Sequence, residues 1–164
     1  TLFPYTTLFR SKLPRALQQD FSQHVQRETD SHGKEMTQNA LWQLFRQRYG
    51  LVAQPALALV DYKSESRQDG QLHLQATLLQ EGTQRKIEAL GNGLLSAAAG
   101  ALSHLLKKPF SIKDYHEHTL GERSDSRSVA YIHCLYPDGS GSWGVGIDND
   151  VARASLQALL NALN

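Results

Sequence analysis

Leu17, Phe21 and Val25 recur at i, i+4 and i+8. That spacing predicts one apolar face of a helix, and Pro14 suits its first turn. The stretch Arg27 to Thr37 is polar, carries Gly33 and reads as a connection. Thr37 is placed to cap a second helix with Leu41, Leu44 and Phe45 as its stripe. Gly50 stands where glycine commonly ends a helix. Stripes this narrow cannot enclose a core, so the two helices are expected to pack on each other or on a neighbour.

After Gly50 the period shortens. Ala56–Ser66 has strand character. Gly70–Leu79 alternates at Leu72, Leu74, Ala76 and Leu78, as a half-buried strand does. Glu81–Thr83 turns, Gln84–Gly91 returns, and Gly91–Leu106 follows as a helix rich in small residues, expected to lie close on a sheet. The same order then repeats. Phe110–Gly121 and Ser128–Pro137 read as strands, Asp138–Trp143 as a turn, Gly144–Asp148 as the return and Val151–Leu163 as a helix. One constant offset carries Leu78 to Leu135, Gly82 to Gly139, Asn92 to Asn149, Ala97 to Ala154 and Leu106 to Leu163. A duplicated unit is the simplest source of that register. Neither copy has enough apolar surface to stand alone, so the two should share a core. The fold class expected is α+β: two helices, then a duplicated βββα unit with pseudo-two-fold symmetry.

Thr1–Ser11 shares none of these periods. It has no basic start, and its apolar residues are broken by Pro4, Thr6 and Thr7, so it makes a poor signal peptide. It resembles a translated sequencing-library adapter, codon for codon, and is set aside as an artefact.

At 164 residues the chain is long enough for one cored domain with an appendage. A formal net charge of +1 gives no broad attraction to nucleic acid or to a membrane surface, and no apolar run is long enough to span a bilayer. The single cysteine, Cys134, excludes an internal disulfide, fits a reducing cytoplasm and reads as a core residue. His116 and His118 share one strand face, but without a third ligand they are too little for zinc. No serine sits in a nucleophile elbow, and Gly91-Asn92-Gly93 fails the dinucleotide fingerprint because Ser96 stands where glycine is needed. Hence no catalytic residue and no metal ligand is assigned.

The helix starts carry more chemistry. Gly91-Asn92-Gly93 exposes bare backbone amides at the positive end of a helix, where an anion sits well. Asp148-Asn149-Asp150 offers two carboxylates. Both are also good caps. Beyond capping, the pair suits a carboxylate at one start and an ammonium at the other, the two charges of a free amino acid.

"GNGLLSAAAGAL", "IKDYHEHTLG", "SVAYIHC" and "WGVGIDNDVARASLQALLNALN" together resemble the C-terminal part of the 2-isopropylmalate synthase family, from about Leu13 to the end of the chain. The resemblance implies a helical connector over residues 12–50 and an allosteric regulatory domain over 51–164, with units at about 55–107 and 110–164. It implies that the parent enzyme is an acyltransferase joining acetyl-CoA to 2-oxoisovalerate in leucine biosynthesis, by means of a catalytic barrel with a divalent metal that this chain does not contain. This part would be inactive alone, hold no cofactor, form a homodimer and bind L-leucine for feedback inhibition. Carried over by motif, the leucine site comprises Gly91, Asn92, Gly93, Leu95, Ile112, Tyr115, Thr119, Ser126, Asp148 and Val151. The chain departs from the family pattern at Leu94, Ser126 and Asp150. Two other readings are a citramalate synthase regulatory domain answering to isoleucine, and a stand-alone amino-acid-binding or dimerisation module.

Overall fold

A computed structural model describes residues 12–120 and 126–164, so the opening segment set aside above lies outside the described residues. Helix α1 spans Arg15–His32 and α2 spans Gln38–Tyr49. The Thr37 side chain caps α2 by accepting from the Ala40 amide at 3.1 Å. Gly50 ends it in the left-handed region, with φ of 87°. Helix α1 runs further than its apolar stripe predicts. The polar residues after Arg27 stay helical, with Gln26 bonding Asp30 and His32 beside Glu28 one turn apart, until Gly33 caps the end.

Two antiparallel three-stranded sheets follow. The first has the order β1-β2-β3, with β1 Leu57–Ser66, β2 Leu72–Gln80 and β3 Thr83–Gly91, and leads into α3, Leu94–Leu106. The second repeats it as β4 Ser111–Leu120, β5 Arg127–Leu135 and β6 Gly141–Asp148, then α4, Val151–Leu163. The architecture is the expected α+β fold with a duplicated βββα unit. Both first strands carry a β-bulge at the same place, between Leu59 and Asp61 in β1 and between Ile112 and Asp114 in β4.

The constant offset fails in the first two strands: the bulges match Asp61 with Asp114, and β2 is displaced by one residue relative to β5. The β2–β3 hairpin turns in two residues, Glu81 (φ 50°) and Gly82 (φ 82°), the left-handed pair of a tight hairpin. The β5–β6 hairpin needs one more, closing from Tyr136 to Ser140 with Gly139 at φ 89°. Leu78 lies opposite Arg85, whose counterpart Ser142 lies opposite Cys134. Leu78 therefore corresponds to the fully buried Cys134 and not to Leu135. A one-residue slip would have turned every side chain of β5 to the wrong face.

Two cores result. The larger joins the units: Leu74, Ala76 and Leu78 of the first sheet meet Ala97 and Leu102 of α3, Ala130 and Ile132 of the second sheet, and Leu159 of α4. The smaller lies on the opposite face of the second sheet. There Val129, Tyr131, Trp143 and Val145 receive Leu17, Phe21, Phe45 and Tyr49 of the connector helices. Each such side chain contributes about 1.5–3 kcal/mol by leaving water. The corresponding face of the first sheet carries Asp61, Lys63, Gln75, Lys86 and Glu88, all exposed.

The two helices also differ in how they sit. On α4, Ala154, Ala158 and Ala162 ride directly over Gly144 and Gly146 of β6. The counterparts of those glycines in β3 are Ile87 and Ala89, which hold α3 further off. The close packing expected of α3 is confined to its start, where a side chain on Gly91 would meet the Ala97 amide at 2.6 Å. Finally, the side chain of the last residue, Asn164, accepts from the Leu57 amide at 2.6 Å and donates to the Leu57 carbonyl, fastening β1 to the end of α4.

Candidate functional site at the two helix starts

Of the ten sequence-predicted residues, nine fall into two groups, one toward each helix start, and Ile112 lies apart from both. At the first, Gly91 ends β3 opposite Leu72, Asn92 is exposed, and Gly93 is the N-cap of α3 in an extended conformation without a side-chain cap. The first amides of α3 thus receive no acceptor from that residue. Leu95 is half-buried against the larger core.

The second group, Ile112 excepted, lies toward the start of α4. Tyr115 of β4 lies opposite Ile132, on the face toward α4. Ile112 shares that face but lies opposite Cys134, whose partner Ser142 donates to the Ala162 carbonyl in the last turn of α4, so the structure does not bring it to the helix start. The Tyr115 hydroxyl lies 2.7 Å from Glu117 and 2.8 Å from Ser155 Oγ, while Ser155 Oγ lies 2.9 Å from the Val151 carbonyl. Two hydroxyl protons serve these three contacts, so Tyr115 donates either to Glu117 or to Ser155. Burial raises the Tyr115 pKa above its ordinary value. Thr119, Ser128 and Asp148 form one polar row across the three strands. Ser126 is half-buried just before β5, and Val151 is 46% exposed in the first turn of α4. Among the described residues no hydrogen bond joins the two groups.

The two carboxylates at the α4 start are not equivalent. Asp150 Oδ1 accepts from the Ala152 amide at 2.9 Å, and Oδ2 accepts from the Tyr62 hydroxyl at 2.5 Å. The Tyr62 bond holds the Asp150 carboxyl below its usual pKa, and the same bond pushes Tyr62 up to about 12. Asp148 accepts through Oδ1 alone, from the Asp150 amide at 3.0 Å. Both oxygens of Asp150 are therefore engaged, while Asp148 has one to offer.

Tyr62, Asp61 and Arg153 were not among the sequence-predicted residues. Arg153 of α4 pairs with Asp61 at 3.3 Å and lies over the Tyr62 ring. The duplication carried the signal: Asp61-Tyr62 and Asp114-Tyr115 are the same dipeptide, each directly after the bulge. One tyrosine reaches α4 from its own unit and the other from the neighbouring unit.

His116 and His118 share a face as expected, the one toward the connector helices, where His118 Nε2 lies 2.6 Å from the Tyr131 hydroxyl. No group of three metal-binding side chains occurs among the described residues. Burial pushes the Cys134 thiol up to about 12, which leaves it without thiolate character.

Three histidines occupy the joint between connector and second sheet. His24 lies 3.7 Å from Asp20, which also accepts from the Tyr49 hydroxyl at 2.6 Å. His133 is stacked on Trp143 at 4.5 Å, and its Nδ1 is buried without a hydrogen-bond partner, 3.8 Å from Asp114. Burial lowers the pKa of His24, His118 and His133 alike. Arg48 assists at His24, Lys12 at His118 and Lys113 at His133, with Asp20 and Asp114 opposing. The folded state therefore favours neutral imidazoles. Their contribution is held above the ordinary histidine value of about 6.5 and is lost as pH falls below it toward the lowered folded values. The unfolding midpoint should drop between pH 7.5 and 5.5. His133→Phe, which keeps the ring stack and removes the charge, should flatten that drop in a pH series of thermal melts.

Residues 35–164 match the family described as LeuA allosteric (dimerisation) domain. The chain is 41% identical over 152 residues to the 2-isopropylmalate synthase of Marinomonas sp. (strain MWYL1), covering 92% of this chain and 27% of that protein. It is 40% identical over 155 residues to that of Paraburkholderia xenovorans (strain LB400), covering 93% and 26%. Against the enzyme of Thermobifida fusca (strain YX) the figures are 36% over 152 residues, 93% and 26%. The chain thus spans about a quarter of the length of these relatives. No helix among the described residues is long and apolar enough to cross a membrane. On its match from residue 35 to residue 164, the chain belongs to the LeuA allosteric (dimerisation) domain family.

Proposed function

We propose that this chain is the leucine-responsive control part of a 2-isopropylmalate synthase and that it works as a homodimer. The observation that carries this reading is the unequal chemistry of the two helix starts on one duplicated scaffold. The uncapped amides after Gly93 suit the carboxylate of an amino acid. The spare oxygen of Asp148 suits its ammonium. Leu95 and Val151 are apolar and at least partly exposed, which suits a branched side chain. The small-residue face of α3, with Gly100 exposed and Leu94 and Leu105 half-buried, suits a second copy. Condensation of acetyl-CoA with 2-oxoisovalerate is assigned to a barrel outside this chain. Control then requires that leucine bind the inhibited and active states with different affinity.

Calorimetry with leucine, isoleucine and valine on the purified dimer tests this. Leucine is expected to bind, and Asp148→Asn to weaken it by about tenfold or more, the equivalent of about 1.4 kcal/mol. Binding of isoleucine but not leucine would move the assignment to a citramalate synthase. A folded dimer that binds none of the three would reduce the function to dimerisation.

A further inference from the structure

A groove of about 530 Å³ lies where the connector meets the duplicated units. Trp42 and Arg46 of α2 form one wall, and Leu51 and Leu57 line it from the link into β1. Arg127 and Ile147 reach it from the connector-side face of the second sheet, at the C-terminal half of α4. Its volume falls within the roughly 300–1,000 Å³ of small-molecule sites. Most of its lining residues are apolar, two are arginines, Arg46 and Arg127, and none of the described ones is acidic. Arg46 Nε donates to the Leu51 carbonyl at 3.0 Å, which fixes that side chain in the wall.

We propose that this groove binds a small monocarboxylate with a short apolar body. The charge balance selects the class. A guanidinium offers a carboxylate two parallel hydrogen bonds, and the apolar walls take the hydrocarbon part. An amino acid fits poorly, because its ammonium would find no acid there and would be buried unpaired. None of the ten residues assigned to the leucine site lines the groove, although Arg127 and Ile147 adjoin Ser126 and Asp148 in the chain. Since both α2 and β1 line it, a bound anion braces the connector against the first unit.

Calorimetry on the intact chain tests this with three probes: 4-methylpentanoate, its neutral analogue 4-methylpentanol, and leucine. The acid is expected to bind saturably with a dissociation constant of about 1 mM or tighter. Its heat should be unchanged when leucine is already present, and the alcohol should give no saturable heat. Arg127→Gln, which loses no side-chain hydrogen bond to the described residues, should weaken the acid by about tenfold, roughly 1.4 kcal/mol, with an unchanged melting curve. Absence of saturable acid binding overturns the proposal. So does equal binding of the alcohol, displacement of the acid by leucine, or an unaltered affinity in Arg127→Gln. The acid and alcohol comparison needs no variant, so it decides even if Arg127→Gln fails to fold.

Discussion

Gly144→Val should prevent this chain from reaching a stable fold. A Cβ at Gly144 would stand 2.1 Å from the Ala158 carbonyl oxygen and 2.2 Å from the Ala162 amide nitrogen. At Gly146 it would stand 2.0 Å from the Ala154 carbonyl oxygen. These neighbours are backbone atoms of α4, so no side chain can swing aside. Relief requires lifting the helix off β6, which opens the larger core along Ala154, Ala158 and Ala162. Overpacking commonly costs about 1–3 kcal/mol where side chains can yield. With a helix backbone in the way the cost should reach at least the upper figure. For a chain of this length each kcal/mol moves the midpoint by about 2–4 °C, so a fall of at least about 6–12 °C is expected by thermal denaturation, and insolubility is consistent with it. A Gly144→Val chain melting within a degree or two of the parent would refute the packing described.

Phe45→Ala should release the connector while leaving the duplicated units folded. Phe45 is fully buried, edge-on to Phe21 at 5.3 Å and to Tyr49 at 4.8 Å, and stacked on Trp42 at 5.8 Å. It is the ring around which the smaller core is arranged. Truncating a buried phenylalanine costs about 3–5 kcal/mol, transfer and cavity together. That loss falls on the connector, because the larger core contains none of its residues. Hydrogen exchange should show amides of α1 and α2 losing protection while those of β6 and α4 keep theirs. Uniform loss across the chain would mean that the two cores fold as one unit.

Much of this architecture could be read from residue spacing. Leu17 and Phe21, the Thr37 cap and the Gly50 terminator all act on local backbone, and local physics placed them correctly. The repeat was legible because turn glycines and helix stripes recur. Its register was misjudged in β2 because the second hairpin is one residue longer. A shared spacing cannot reveal a local insertion that leaves both ends of the pattern intact. The helical course of Arg27–His32 was hidden for another reason: these residues face water, and a polar helix has no apolar period to display.

The helix starts were visible as Gly-Asn-Gly and Asp-Asn-Asp. The engagement of Asp150 was not, because its partner Tyr62 lies on β1, 88 residues away in sequence. That bond exists only once the first sheet has docked beside α4. It also gives the second acid of Asp148-Asn149-Asp150 a structural role. Asp150 serves the joint between the units, and Asp148 keeps the spare oxygen.

The second sheet is covered on both faces, by α4 on one and the connector helices on the other, whereas the first sheet turns one face to water. Two copies of one ancestral unit have thereby come under unequal constraint. Exposed positions such as Lys63, Gln75 and Lys86 can change without touching any core. The counterparts of Gln75 and Lys86, Tyr131 and Trp143, sit beneath the connector helices. Substitutions on the outer face of the first sheet should therefore be tolerated more readily than on the matching face of the second.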